Sequence, residues 1–466
     1  MRGILSYGAY IPYHRLQRTK LKEFFGTSTL KGEKAVAGFD EDAVSMGVEA
    51  GFDSLNGLDE KTIDAVYFAT TNGPYDEKSS LSTITKALDL RKDVRGMETA
   101  HSLRAGTSSL MEALDQEKQT LIIASDCQIG APNGANEQLF GDGAVSFVTG
   151  SGDNVVAKVV DSLTVQDEVV GQWRSNGDDV ERNWEERFIS SVFTTSVQHA
   201  VSKLLHKNEI ALSGVSKVII SAPVKKGYQK IARALGVSEE QLLDPLFDTV
   251  GQTGTAHAGM MLVEALEHAK PGEYILVANF AEGTDVILLE ATDALAKSVD
   301  HKGLKGHIQV KNSDLAYANY LKWKGLLKTE PPRRPERDRP SAPAMYRNYD
   351  QNLSFYGSKC QVCGTAQFPK QRVCAKCHAK DQMEDYRFVG KTATITTYTL
   401  DYLAPTLALP ALIAVIDFEG GGRIMCELTD CEPDEIEIGM EVELTFRRLY
   451  EQGGIHNYFW KARPKR

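Results

Sequence analysis

What this sequence lacks already narrows its class. No apolar run approaches the ~20 residues that a membrane-spanning helix needs, and the opening MRGILSYGAYIPYHRL has no long apolar core of the secretory kind. A cytoplasmic protein without a membrane partner is therefore expected. Positive charge is also short. The 53 Lys and Arg face 63 Asp and Glu, a formal net charge of -10, so the chain as a whole repels a phosphate backbone and nucleic acid is not an expected partner. Cysteines are few, seven in 466 residues, and four of them are clustered rather than spread as a disulfide framework. What is present, 42% hydrophobic and 25% charged residues, is the balance of a folded chain. Its length exceeds one ordinary core and predicts roughly two to four domains.

From the start to about residue 294, short β-rich apolar runs alternate with helical patterns. The strand candidates are residues 65–69, 120–125, 145–148, 218–220 and 274–278; between them, residues 41–55, 108–116, 188–205 and 259–269 place apolar residues at i, i+3 and i+4. This is an α/β pattern without a visible internal repeat. From about residue 297 the texture changes. Residues 315–323 predict a short amphipathic helix, and the following run TEPPRRPERDRPSAPAMYRN is expected to be extended or to act as a linker, because its prolines cannot continue a helix or a ladder. Beyond residue 384, five β-rich segments with Gly-rich turns (391–399, 411–418, 422–429, 441–449 and 458–462) suit a small barrel of the OB type.

Between these regions stand Cys360-Gln361-Val362-Cys363 and Cys374-Ala375-Lys376-Cys377, two CxxC knuckles ten residues apart. Each knuckle presents two thiolates to one side of a tight turn, and together they complete a tetrahedral sulfur shell suited to Zn²⁺. A rubredoxin-type iron centre is the alternative. A closed Cys₄ shell leaves no position for water, so a zinc ion there is structural. His378 reads as a surface residue, not a further ligand.

Five pieces carry a resemblance: Glu33-Lys34-Ala35-Val36 leading to Asp40-Glu41-Asp42, Ala69-Thr70-Thr71-Asn72-Gly73-Pro74-Tyr75, Leu103-Arg104-Ala105-Gly106-Thr107, Phe140-Gly141-Asp142-Gly143-Ala144, and Gly251-Gln252-Thr253-Gly254-Thr255. In this order they make residues 1–294 resemble the thiolase superfamily, most nearly the archaeal-type 3-hydroxy-3-methylglutaryl-CoA synthases and more distantly ketoacyl synthase III. The end of the chain resembles the zinc-ribbon and OB-fold module that accompanies thiolase-like subunits. The resemblance implies an α/β, duplicated αβαβα five-layer domain (1–294), a linker with a short helix and the Pro/Arg-rich run (295–355), a rubredoxin-like zinc ribbon (356–384) and an OB-type barrel (385–466). It also implies a coenzyme A thioester as substrate, acyl-CoA as ligand, and a homodimer through the first domain, with a further thiolase-like subunit as an additional partner.

In that family a cysteine at a helix N-terminus accepts the acyl group, a glutamate handles the proton, and a histidine and an asparagine face the thioester oxygen. Counting back four residues from Thr107 places Leu103 at the cysteine position. The glutamate position is Thr71, the histidine falls on Ser221 of Ser221-Ala222-Pro223, and the asparagine falls on Gln252. All four positions differ from the family while the fold-building glycines remain. Ser102 precedes the nucleophile's seat by one residue and, even with His101 beside it, a turn that aims one side chain at substrate points its neighbour elsewhere.

Three readings follow. The first is non-covalent aldol or retro-aldol chemistry on a β-hydroxyacyl-CoA, which needs a base and donors for an enolate oxygen but no acyl-enzyme. Thiolase-like aldolases that lack the cysteine and work with a zinc-ribbon/OB partner provide the pattern. Its candidate groups are His257, Gln252, Thr71 and Asn72, with Tyr75 as a further donor; His257 also reads as an ordinary helix-start histidine. The second is a non-catalytic acyl-CoA-binding scaffold for a partner thiolase. The third is an acyltransferase or Claisen-type synthase with a substitute nucleophile. Cys127 reads as a small buried residue.

Overall fold

The computed structural model describes residues 1–221, 225–298, 301–330 and 338–466. They form two units: Met1–Ala37, Met46–Ser82 and Leu90–Tyr317 make the first, and Gly38–Ser45, Thr83–Asp89 and Ala318–Arg466 make the second. Among the described residues no helix is long and apolar enough to cross a membrane.

Apolar, β-branched runs become the strands of the first unit: Arg2–Tyr10 (β1), Ala65–Ala69 (β2), Arg95–Thr99 (β3), Thr120–Asp126 (β4), Gly143–Ser151 (β5), Ala157–Gln166 (β6), Val215–Ser221 (β7), Tyr274–Ala281 (β8) and Gly283–Ala291 (β9). They pair in the order β7-β8-β9-β6-β1-β5-β4-β2-β3. The topology repeats although the sequence does not. In one half β2 runs parallel to β4, which is antiparallel to β5, itself antiparallel to β1. In the other half β7, β8, β9 and β6 follow the same pattern. Where β3 flanks β2, the second half keeps only a single parallel bridge between Val218 and Leu242.

The longer helices are Ala43–Leu55 (α1), Ala105–Leu114 (α2), Glu186–Lys207 (α3), Lys225–Leu235 (α4) and His257–His268 (α5). Helix α2 packs on β2, β4 and β5 and also on β9, while α5 packs on β7 and β8 and also on β1 and β5. Both therefore lie between the two halves of the sheet. Helix α3 covers β6, β8 and β9 from outside, and Ser54 of α1 meets Ser146 of β5 at 2.8 Å on the other outer face. These are the five αβαβα layers. Helices α2 and α5 lie wholly between sheets, which is why their small and apolar residues, such as Ala113, Leu110, Met261 and Val263, are buried. Strands β1, β3, β6 and β9 and helix α4 lie outside the segments that periodicity picks out; β1 and β9 are buried along almost their whole length, and strands buried on both faces do not alternate.

In the second unit the expected helix forms at Tyr317–Trp323 (α6). The Pro/Arg-rich run departs from expectation: Ala342–Arg347 is helical (α7), with Pro343 in the first turn, where a missing N–H costs nothing. Residues 331–337 of that run lie outside the described residues, as do Ala222 and Pro223. The ribbon strands Tyr356–Cys360 (β10), Ala366–Gln367 (β11) and Met383–Arg387 (β12) pair in the order β11-β10-β12. Ala393–Asp401 (β13), Ala411–Phe418 (β14), Arg423–Glu427 (β15), Glu441–Gln452 (β16) and Ile455–Pro464 (β17) pair in the order β15-β14-β13-β16-β17. Thr429 N donates to Ala462 O at 2.9 Å just past β15, so the two edges approach as in a barrel.

The segment 38–45 is held in the second unit by buried charge. Arg447 Nη2 meets Asp430 at 2.6 Å and Glu41 at 3.2 Å, and Lys461 Nζ meets Asp40 at 2.9 Å and Glu427 at 2.6 Å. Burial alone raises the Asp40 carboxyl pKa, but Lys461 and Arg447 overcome it and hold the group below the usual carboxylate range. The stability this contributes is complete above the unfolded value of about 4 and is lost as pH falls below it. Arg447→Met should leave Glu41 and Asp430 buried without their cation and cost about 3–5 kcal/mol, measured by urea unfolding of the full chain at pH 7.

Candidate active site and metal centre

The buried end of β4 organises one side of the site. Asp126 is fully buried, and its Oδ1 accepts from Thr71 N at 2.7 Å and Thr70 Oγ1 at 3.0 Å, while Oδ2 accepts from Thr255 N at 2.7 Å. Burial pushes its pKa up, against the pull of the Thr255 and Thr71 N–H groups. One carboxylate thus joins the end of β2 to the turn that opens α5. The approach is close enough to demand glycine: at Gly254, with φ of 59°, a Cβ would lie 2.2 Å from Asp126 Oδ2. Likewise a Cβ on Gly106 of α2 would lie 2.2 Å from Thr255 O. The ends of β2 and β4, the start of α2 and the start of α5 therefore converge.

The expected polar residues lie along this junction. Thr71 and Asn72 are half-buried; Thr71 O accepts from Arg174 Nη2 at 2.9 Å, and Asn72 Oδ1 accepts from Thr71 Oγ1 at 3.1 Å. Gln252 is buried, its backbone held to Leu139 and Gly141, and its Oε1 has no hydrogen-bond partner among the described residues. His257 is fully buried and stacks on Phe247 with ring centroids 5.7 Å apart. Its Nδ1 accepts from Thr253 N at 3.4 Å and its Nε2 has no partner among the described residues. Burial lowers its pKa to about 4, so the ring is neutral near pH 7 with its proton on Nε2. Ser221 ends β7 and is buried.

A second arrangement surrounds Leu103. A cavity of about 170 Å³ is lined by Leu103, Trp184, Ile189, Phe280, Ala281 and Glu282, among others, and not by Thr71, Asn72, Gln252 or His257. The start of α2 is fixed against the β8–β9 turn by Arg104, whose Nη1 meets Asp285 at 2.8 Å and whose Nη2 donates to Glu282 O at 2.8 Å. Asp285 also accepts from Thr107 and Ser108 hydroxyls, each at 2.8 Å. Asn279 Nδ2 donates to Thr107 Oγ1 at 3.1 Å. Ser102 Oγ donates to Glu282 Oε2 at 2.7 Å and accepts from Arg104 N at 3.1 Å. Sequence reasoning missed Asp126, Asp285, Asn279 and Glu282. The available signal was an acid or amide at the end of an apolar strand, but its partners lie more than 50 residues away or across a hairpin.

In the ribbon, the sulfurs of Cys360, Cys363, Cys374 and Cys377 lie within 4.8 Å of one another. The pairs 360/377 and 363/374 are 3.6 and 3.5 Å apart, near the ~3.8 Å separation that tetrahedral Zn–S bonds of about 2.3 Å impose. Lys376 N and Cys377 N approach Cys374 Sγ at 3.4 and 3.5 Å, as a metal knuckle requires. The residues fit a structural zinc ion, and exposed His378 is not among them.

Comparison with known proteins agrees with both parts of the structure. Residues 351–384 match the model of the ChsH2 rubredoxin-like zinc ribbon domain, and residues 386–447 match that of the ChsH2 C-terminal OB-fold domain. Hydroxymethylglutaryl-CoA synthase of Caldivirga maquilingensis is 26% identical over 343 residues, covering 70% of this chain and 98% of the relative. The synthase of Methanocaldococcus jannaschii is 26% identical over 348 residues, covering 70% and 100%. About the first 70% of the chain is thus similar in sequence to hydroxymethylglutaryl-CoA synthases. An HMG-CoA synthase crystallised with CoA superposes with a TM-score of 0.61 at 16% identity, covering 69% of this chain and 90% of that one. A 3-oxoacyl-[acyl-carrier-protein] synthase III from Aquifex aeolicus gives 0.56 at 19% identity, covering 62% and 100%. At these identities the structures establish the fold.

Two outcomes test this geometry. Asp126→Ala should strand the Thr71 and Thr255 N–H groups, cost about 3 kcal/mol in urea unfolding, and speed amide hydrogen exchange at both residues. Purified protein should carry zinc bound by the ribbon; Cys374→Ser should lose it by elemental analysis, and chelation should expose residues 356–384 to trypsin before the first unit unfolds.

Proposed function

We propose that this chain makes or breaks a carbon–carbon bond of aldol type in a β-hydroxyacyl-CoA, without an acyl-enzyme, with acyl-CoA bound at the cavity beside Leu103. The observation that carries this reading is the side chain at the start of α2. A helix N-terminus stabilises a thiolate where one exists, but the residue lining the cavity there is leucine. Claisen chemistry through a thioester has no attacking atom at that seat, whereas an aldol step needs only proton transfer and stabilisation of an enolate oxygen.

The buried orphan atoms Gln252 Oε1 and His257 Nε2 support the polar half of the reading, since such atoms mark places completed by a ligand or ordered water. With its pKa near 4, His257 suits a neutral donor better than a base. Thr71 and Asn72 are proposed as further contacts to the thioester. The ChsH2-type module is proposed to assist acyl-CoA binding, with zinc stiffening the ribbon. The working form is proposed to be a homodimer, alone or with a further thiolase-like subunit.

Ser102 supports an alternative, an acyl-enzyme on a substitute nucleophile, because its hydroxyl donates to a carboxylate. Incubation with a 3-hydroxyacyl-CoA panel separates the readings. Aldol chemistry predicts a carbonyl product and a shortened acyl-CoA by chromatography, with no mass added to the intact chain. An adduct on Ser102 establishes the alternative, and binding without turnover establishes a non-catalytic scaffold.

A further inference from the structure

The reaction proposed above needs a base that touches substrate, and none of His257, Gln252, Thr71 and Asn72 lines the cavity at Leu103. Glu282 does. It sits between β8 and β9, and the turn is fixed on two sides: Arg104 Nη2 binds the Glu282 carbonyl at 2.8 Å, and the Arg104–Asp285 pair joins the start of α2 to β9. The side chain is fixed as well. Ser102 Oγ accepts from Arg104 N, so its own proton is directed to Glu282 Oε2 at 2.7 Å. Glu282 Oε1 has no hydrogen-bond partner among the described residues.

The surroundings suit this role. Leu103, Ile189, Phe280 and Trp184 supply apolar wall, and a volume of about 170 Å³ holds a group of roughly six heavy atoms. Glu186 of α3 lines the same cavity, and the Arg104 guanidinium, which donates to the Glu282 carbonyl, is paired with Asp285.

We infer that Glu282 is the catalytic base of this site and Ser102 its positioning residue, acting on the CoA thioester of a short-chain 3-hydroxy acid. The inference rests on the aldol-type reading. In the cleavage direction the Glu282 carboxylate takes the β-hydroxyl proton and the Cα–Cβ bond breaks. The hydroxyl carbon leaves as an aldehyde or ketone, and the electron pair passes to the thioester enolate. The proton then returns from Glu282 to Cα, giving the shortened acyl-CoA. No oxidant or co-reactant is consumed. Condensation is the reverse.

The test uses the full chain with 3-hydroxybutyryl-CoA and 3-hydroxy-3-methylglutaryl-CoA, following products by chromatography and CoA binding by calorimetry. Glu282→Gln should lower kcat about a hundredfold or more while CoA affinity stays within about threefold, a change of about 0.7 kcal/mol. Ser102→Ala should lower kcat less while KM stays within about threefold, and Ser102→Thr, which restores the hydroxyl that donates to Glu282, should recover most of the loss; a purely structural role is not rescued by the hydroxyl. If Glu282→Gln does not fold, Glu282→Asp substitutes for it and should turn over with reduced kcat; an undiminished kcat overturns the assignment. An active wild type with an undiminished Glu282→Gln variant overturns the assignment and leaves the aldol-type reading standing. A wild type that binds CoA but turns over neither thioester overturns both.

Discussion

The first unit depends on one buried carboxylate. Asp126 ends a strand that has no exposure to water, yet it accepts hydrogen bonds from segments more than 50 residues before and more than 120 residues after it. A buried charge of this kind is tolerated only when donors surround it. Those donors are backbone N–H groups at Thr71 and Thr255, so the constraint falls on the chain path itself. The same junction sets the start of α5, and through the Gly106–Thr255 approach it sets how closely α2 lies against that start. The second anchor, Asp285 with Arg104, fixes the other side of the α2 start. Leu103 is held between the two.

This arrangement explains how the start of α2 is held in place without help from the Leu103 side chain. The groups that position the α2 start are Arg104, Thr107, Ser108 and Asp285, and none of them is a reacting atom. Packing of α2 and α5 between two sheet halves leaves no slack for either helix to shift. The cavity beside the α2 start therefore keeps its place, with Leu103 as part of its apolar wall. The second unit is built differently. Its barrel recruits residues 38–45 by burying Asp40 and Glu41 against Arg447 and Lys461.

Much of the fold was legible because it follows local rules. The runs at 65–69, 120–125 and 274–278 are strands, and the segment at 259–269 is a helix, since apolar periodicity reports burial directly. The topological duplication was not legible from residue identity, as equivalent strands share a pairing pattern and not a sequence. Proline misled at Ala342–Arg347, where its position in the first turn made it compatible with a helix. Within the site, Asp126 and Asp285 were not legible, since their partners are assembled from distant chain segments.

The sequence by itself determined the four-cysteine cluster, whose spacing within 18 residues closes a local shell, the order of strands and helices, and the residue types at Leu103, Thr71, Ser221 and Gln252. Only the tertiary structure decided which polar groups face the cavity. Glu282 and Ser102 are 180 residues apart, and nothing local distinguishes a glutamate in a hairpin turn that meets solvent from one that meets a pocket. That distinction arises when β8 and β9 pack against α2, because burial and hydrogen-bond partnership are properties of the assembled layers and not of the chain.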